Sequence, residues 1–200
     1  LLNIFMYMAR LITFGCSNTH GEGLSMPEKQ VWGSVLSNYL DREFVNQGIP
    51  GASNKEIVNN IINFKFQPDD MVFILWTMID RYGVLNDKDN FTQFLPSSLD
   101  PNSIAYYKNI HTDYDHVFLF KIFVEYAVDL LKKQNIQTYS LFTWYKTRFG
   151  IDTQSTLLDI DYGRFYQKFP KGEDNIHMGA QGNEEFAKAI YHNGFKKHVI

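Results

Sequence analysis

At 200 residues and 23.4 kDa the chain can bury one sizeable core, and it is too short for two ordinary domains. Apolar residues make up 44% and charged residues 20%, which excludes a disordered chain. A net charge of −3, with no segment clustering Lys and Arg, argues against nucleic acid as a partner. The single cysteine, Cys16, rules out an intramolecular disulfide and points to a reducing compartment.

In chain order, the apolar run at residues 1–8 lacks a basic n-region and a small-residue cleavage site, and Arg10 interrupts it well short of a membrane span. It reads as neither signal peptide nor transmembrane helix. Residues 1–7 are expected to be an extension the fold does not need, and the cytoplasm or a virus-associated setting is the expected location. Residues 9–14 form a short strand stopped by Gly15. Residues 28–40 place Val31, Trp32, Val35, Leu36, Tyr39 and Leu40 at helical spacing behind Pro27. A short strand at 44–46 leads through the Gly48-Ile49-Pro50-Gly51 turn into a helix at 54–64, with Ile57, Val58, Ile61 and Ile62 inward. Residues 71–76 are the strongest strand.

A long helix at 114–133 carries Val117, Phe118, Phe120, Lys121, Val124, Ala127, Val128 and Leu131 on one mostly apolar face. A fourth strand at 136–142 and a last helix at 181–192, with Phe186, Ala187 and Ile190 on its stripe, complete the pattern. Strands alternating with amphipathic helices predict an α/β fold. A central parallel sheet is covered on both faces, and ligands are expected at the carboxyl ends of its strands. Residues 82–113 and 145–173 resist this scheme and are expected as insertions near that edge.

Ser17 follows the first strand in a Gly-Cys-Ser turn, where backbone amides can face an oxygen that gains charge as a carbonyl is attacked. The plain alternative is a serine that caps a helix. Near the other end, His177 can take the serine proton and return it to a leaving alcohol, with Asp174 three residues earlier to orient the imidazole. A surface histidine and a turn-capping aspartate are the corresponding structural readings. If Ser17 faces the site, Cys16 is expected to face away, as a buried, inert thiol. His111, Asp113, Asp115 and His116 lack the pair-and-pair spacing of a zinc site, so helix capping is expected there and no metal. His20 is read as a solvated loop residue.

These blocks, in this order and spacing, resemble those of the SGNH hydrolases, also called GDSL esterases and lipases. Phe14-Gly15-Cys16-Ser17 is similar to the family's nucleophile block except at Cys16. Asn46-Gln47-Gly48-Ile49-Pro50-Gly51-Ala52-Ser53 is similar to the second block, and Asp174-Asn175-Ile176-His177 to the last. The resemblance covers about residues 9–192. It implies a flavodoxin-like three-layer α/β/α sandwich and a serine esterase acting on small acyl esters, with acetyl groups on carbohydrate as candidate substrates. No metal or organic cofactor is implied. Ser17, His177 and Asp174 would form the triad, and the amides of Ser17 and Gly51 the oxyanion hole. The third block departs from the family. Leu75-Trp76-Thr77-Met78-Ile79-Asp80-Arg81 lacks the usual Asn, which leaves the Thr77 hydroxyl as a weak candidate for the third donor, with Asn54 or Asn18 as substitutes. The Trp-Thr pair with an Arg shortly after resembles virus- or phage-encoded members. The alternatives are a non-catalytic glycan-binding or structural module on the same fold, and an acyltransferase.

Overall fold

The computed structural model describes residues 8–86, 90–143 and 156–195. The expected extension at 1–7 and the first part of the 145–173 insertion lie outside the described residues. In chain order the elements are β1 (Arg10–Gly15), α1 (Ser17–His20), α2 (Pro27–Gln30), α3 (Trp32–Leu40), β2 (Glu43–Gly48), α4 (Asn54–Asn63) and β3 (Met71–Trp76). They continue with β4 (Tyr82–Leu85), β5 (Phe91–Phe94), α5 (Pro101–Asn109), α6 (Asp113–Lys133), β6 (Gln137–Phe142), β7 (Thr156–Asp161), α7 (Tyr162–Lys168) and α8 (Ala180–Gly194).

Five strands pair in the order β2-β1-β3-β6-β7, all parallel, and β4 and β5 form a separate antiparallel hairpin. Because successive side chains leave a strand on opposite faces, each central strand feeds two cores. Leu11, Phe73, Leu75 and Leu141 meet Trp32 and Leu36 of α3 and Phe186 and Ile190 of α8. Ile12, Phe14, Val72, Ile74 and Trp76 meet Ile57 and Ile61 of α4 and Phe120 and Val124 of α6. The three-layer α/β/α architecture follows from that alternation. The chain order reverses beside β1, which puts the topological switch point at the carboxyl ends of β1 and β3. Among the described residues, no helix is long and apolar enough to cross a membrane.

Four local expectations change. The helix expected over 28–40 breaks at Val31, whose ψ of 143° is extended, and α3 restarts at Trp32 because its N–H donates to the buried Asn183 Oδ1 at 3.1 Å. Ile62 and Phe118 are 48% and 61% exposed instead of inward, each lying beyond the arc its helix turns to the sheet. A fifth strand, β7, falls inside the stretch expected as an insertion. Its Thr-Leu-Leu-Asp-Ile-Asp sequence carries acidic residues that weaken the apolar-run signal.

The 82–113 segment is a hairpin plus α5, clamped to the loop after β3. Tyr106 O–H donates to His116 Nε2 at 2.7 Å, and His116 Nδ1–H donates to Ile79 O at 2.8 Å. Burial lowers the His116 pKa and pushes the Tyr106 hydroxyl up to about 12, so both stay neutral near pH 7. With both ring nitrogens of His116 engaged, the histidine cluster serves packing. Among the described residues no group of three His, Cys, Asp or Glu side chains could hold a metal ion.

Asn183 joins α8 to two other segments, since its Nδ2 also donates to Met178 O at 2.9 Å and Gly179 O at 3.1 Å. Asn183→Ala leaves the buried Trp32 N–H and the Met178 carbonyl short of a partner, while Gly179 O keeps the Asn183 backbone N–H. It should lower unfolding free energy by about 1–3 kcal/mol in a urea titration.

Candidate functional site

Ser17 sits just beyond the carboxyl end of β1, buried to 3% exposure, as the first residue of α1. The helix-capping alternative does not apply, because the N-cap is Cys16 and it makes no side-chain capping bond. Thr19 N–H and His20 N–H both donate to Cys16 O at 2.9 Å. The amides of Ser17 and Asn18 precede them at the helix start, where no intrahelical acceptor exists. Cys16 is 1% exposed and packs into the α4 and α6 core, yet its sulfur lies 4.0 Å from both Ser17 Oγ and Asn18 Nδ2. The expected turn away from Ser17 is therefore only partial, because the chain leaves strand geometry at this step and no longer alternates by 180°.

Asp174 and His177 meet in a loop that closes on itself through the Lys171–Met178 bridge and a Gly172 N–H to His177 O bond of 2.8 Å. Asp174 Oδ1 accepts from the amides of Ile176 and His177, each at 2.9 Å, and Oδ2 accepts from His177 Nδ1 at 2.5 Å. The carboxylate thus caps the turn and fixes the imidazole tautomer with one group. The imidazole N–H is the main reason that Asp174 titrates at about 2, with the two amides adding to it.

This loop is fastened to the segment that follows Ser17. Glu173 N–H donates to Gly23 O at 2.7 Å, and a Cβ on Gly172 would run into that same carbonyl. Gly23 has φ +79°, and a Cβ there would lie 2.6 Å from Asp174 Oδ1. The two backbones cross with room for hydrogens only. Glu22, one residue before the crossing, brings Oε2 to 3.5 Å from His177 Nε2. Ser17 Oγ and His177 make no direct hydrogen bond. Among the described residues, the partner of the hydroxyl is the Cys16 sulfur.

Gly51 lies in the turn between β2 and α4 with φ +75°, and the place of its missing Cβ is taken by Gln93 Oε1 from β5. Gln93 Nε2 in turn donates to Glu56 Oε2 at 2.9 Å and reaches Pro50 O at 3.4 Å. Burial raises the Glu56 pKa. Thr77, 4% exposed, follows β3, and its N–H donates to Asn54 Oδ1 at 3.0 Å. Asn54 Nδ2 donates to Thr77 O at 3.2 Å and Met78 O at 3.4 Å. Both amide hydrogens of Asn54 are thereby engaged, which removes it as a substitute oxyanion donor. Asn18 has a buried Oδ1 without a partner among the described residues, and His20 is exposed with Nδ1 3.2 Å from Gly48 O. Sequence reasoning missed Glu22 and Gln93, since neither belongs to a motif and both reach the site through tertiary contacts alone.

Ser17, Gly51 and Thr77 stand at the carboxyl ends of three adjacent strands, with the Asp174–His177 pair tied to the Ser17 side. No protein-family model matches the chain, and no curated protein matches it. Solved structures do match in fold. A member of the lipolytic protein G-D-S-L family from Veillonella parvula is 14% identical with a TM-score of 0.54, over 94% of this chain and 98% of that one. The acetyl xylan esterase Est2A from the rumen bacterium Butyrivibrio proteoclasticus is 12% identical with a TM-score of 0.58, over 96% of this chain and 65% of that one. The psychrotrophic esterase EstA from Pseudoalteromonas sp. is 13% identical with a TM-score of 0.53, over 94% and 97%. The central five-stranded parallel sheet with its flanking helices is the fold of the G-D-S-L, or SGNH, lipolytic proteins.

Proposed function

We propose that this chain is a serine esterase that hydrolyses small acyl esters through Ser17, His177 and Asp174. The observation that carries the reading is the Asp174 carboxylate, which accepts three hydrogen bonds from its own turn and leaves His177 with Nδ1 protonated. Nε2 is then the basic nitrogen. In the reaction Ser17 Oγ attacks the ester carbonyl carbon while Nε2 takes its proton, and the resulting imidazolium is stabilised by Asp174. The tetrahedral oxygen faces the free amides at the start of α1 and the Gly51 amide, with the Thr77 hydroxyl as a weaker third donor. His177 then gives its proton to the leaving alcohol, and water repeats the sequence on the acyl-enzyme. No cofactor takes part in these steps. Acetyl groups on carbohydrate are the substrates we favour, since the fold neighbours include an acetyl xylan esterase.

The test is to incubate wild type, Ser17→Ala, His177→Ala and Asp174→Asn with short-chain nitrophenyl esters and a serine-reactive fluorophosphonate. Ser17→Ala should abolish both hydrolysis and labelling. His177→Ala should lower kcat on the order of 10⁴-fold or more, and Asp174→Asn about 10²- to 10⁴-fold. Absence of labelling at Ser17 in wild type would instead favour a binding module on this fold, for which the missing Ser17–His177 hydrogen bond is the motivating observation.

Gly172→Ala should reduce hydrolysis about 100-fold while leaving far-UV circular dichroism unchanged, because a methyl group at the crossing displaces the base from the nucleophile. An activity within a few-fold of wild type would contradict that placement.

Acid pH supplies a further check. Asp174 has its pKa lowered from 3.8 to about 2, so the stability it contributes is fully present above pH 4 and is lost as the pH falls toward 2. A carbon-13 titration of its carboxyl should give a midpoint near 2, and any loss of activity between pH 7 and pH 4 should be unaccompanied by Asp174 protonation.

A further inference from the structure

We propose that Gln93, on the hairpin insertion, is a positioning residue for the oxyanion donor: it holds the Pro50–Gly51 peptide in the one of its two orientations that turns Gly51 N–H away from the hairpin. The inference rests on the reading of Gly51 as an oxyanion donor. Residues 49–52 form a turn closed by Ala52 N–H donating to Ile49 O at 3.1 Å, and Gly51 at its third position has φ +75°. Those two features define a type II turn. Types I and II share the closing bond and differ by a flip of the central peptide, here the one whose N–H belongs to Gly51. Proline at the second position suits both types, and a residue without Cβ moves freely to negative φ. The turn's own sequence therefore permits either orientation.

Contacts from outside the turn make the selection. Gln93 Nε2 donates to Glu56 Oε2 at 2.9 Å and to Pro50 O at 3.4 Å, while Oε1 lies over the Gly51 Cα. Reversing the amide would set Oε1 against Pro50 O, two acceptors, so the Nε2 end faces the turn. In a trans peptide C=O and N–H point in opposite directions, so a carbonyl held toward Gln93 sends Gly51 N–H the other way. Among the described residues Gly51 N–H has no acceptor, which leaves it open to a ligand. The same turn is fastened to the end of β1, two residues before Ser17, by Ile49 N–H donating to Gly15 O at 3.0 Å. Gln93 is itself firmly placed. Gly83, its partner across the hairpin, lies where a Cβ would come within 2.6 Å of Ser53 Oγ at the start of α4. One such hydrogen bond biases the two orientations by about three- to ten-fold, whereas losing the donor outright costs on the order of 10²- to 10³-fold.

The experiment compares the full chain as wild type, as Gln93→Met, which keeps length and bulk without an amide, and as Gln93→Glu, which sets another acceptor against Pro50 O and Glu56. Pro50–Gly51 is the one Pro-Gly pair in the sequence, so carbon-13 proline with nitrogen-15 glycine isolates this peptide. A strong Overhauser effect from Pro50 Hα to the Gly51 amide proton marks the type II orientation, and a weak one marks the flip. Hydrolysis of a short-chain nitrophenyl ester gives kcat and KM separately. Expected are a weaker Overhauser effect in both variants, kcat lowered about three- to ten-fold in Gln93→Met and further in Gln93→Glu, and KM within about two-fold of wild type. An Overhauser effect equal in all three proteins overturns the positioning, whether or not the chain hydrolyses esters. A weaker effect with unchanged kcat, whatever the KM, overturns its part in the reaction. If Gln93→Glu does not fold, Gln93→Met, which adds no charge, decides alone. If wild type hydrolyses no ester, the esterase reading fails and the Overhauser arm alone decides whether Gln93 holds the peptide.

Discussion

The backbone crossing at Gly23 and Gly172 is the constraint on which the rest of the candidate site depends. It joins the segment after β1 to the segment before α8, two stretches separated by most of the chain. It does so through one amide-to-carbonyl bond of 2.7 Å and two residues without side chains. Leu24 and Met178 anchor the two segments in the core, but hydrophobic burial is non-directional and cannot set the spacing of two backbones to a fraction of an ångström. Steric exclusion can, because the energy of overlap rises far more steeply than that of dispersion falls off. The closed loop around His177 and the capped turn at Asp174 then carry that precision to the imidazole. Glu22 gains its proximity to Nε2 from the same fixed point.

The sheet supplies the second half of the arrangement. Order reversal at β1 opens the carboxyl edge between β1 and β3, and α1, only four residues long, starts at that edge, where its first amides have no intrahelical acceptor. A helix of one turn has almost no summed dipole, so what it offers an anion is individual N–H groups. Asn183 ties the start of α3 to the His177 loop, and the Tyr106–His116 pair ties α5 and α6 to the loop after β3. Each tie replaces a solvated polar group by a buried, satisfied one, which favours a single arrangement over several.

What the sequence made legible was local. Residues 71–76 read as a buried strand because six consecutive apolar residues suit a strand covered on both faces. The Asp174-x-x-His177 pair was legible because its geometry is set within one turn. The break at Val31 was not, since it depends on the side chain of Asn183 from α8. Cys16 was placed by strand alternation, which gave its burial but only part of its turn away from Ser17, because a strand becomes a helix at this residue. Gln93 and Glu22 had no signal, because nothing near them in the chain reveals that one covers Gly51 and the other faces His177. β7 was hidden for a different reason: an edge strand can carry acidic residues that a central strand cannot.

The Asn that the SGNH pattern would place after β3 has a physical counterpart elsewhere in this chain. Asn54 engages Thr77 N–H, Thr77 O and Met78 O at once, so it anchors the end of β3 to α4 and leaves no amide hydrogen for a ligand. On the esterase reading, the oxyanion then depends on the α1 amides and on how well the Gly51 N–H is aimed. That aim is governed by the turn at φ +75° and by Gln93, which fills the space over Gly51 while its own amide is held by the buried Glu56. A carboxylate with a raised pKa holding an amide that covers a glycine is a stiff support, because moving Gln93 would strip a buried acid of its donor. On that reading the hairpin insertion belongs to the oxyanion side of the site, and the crossing at Gly23 and Gly172 to its base side.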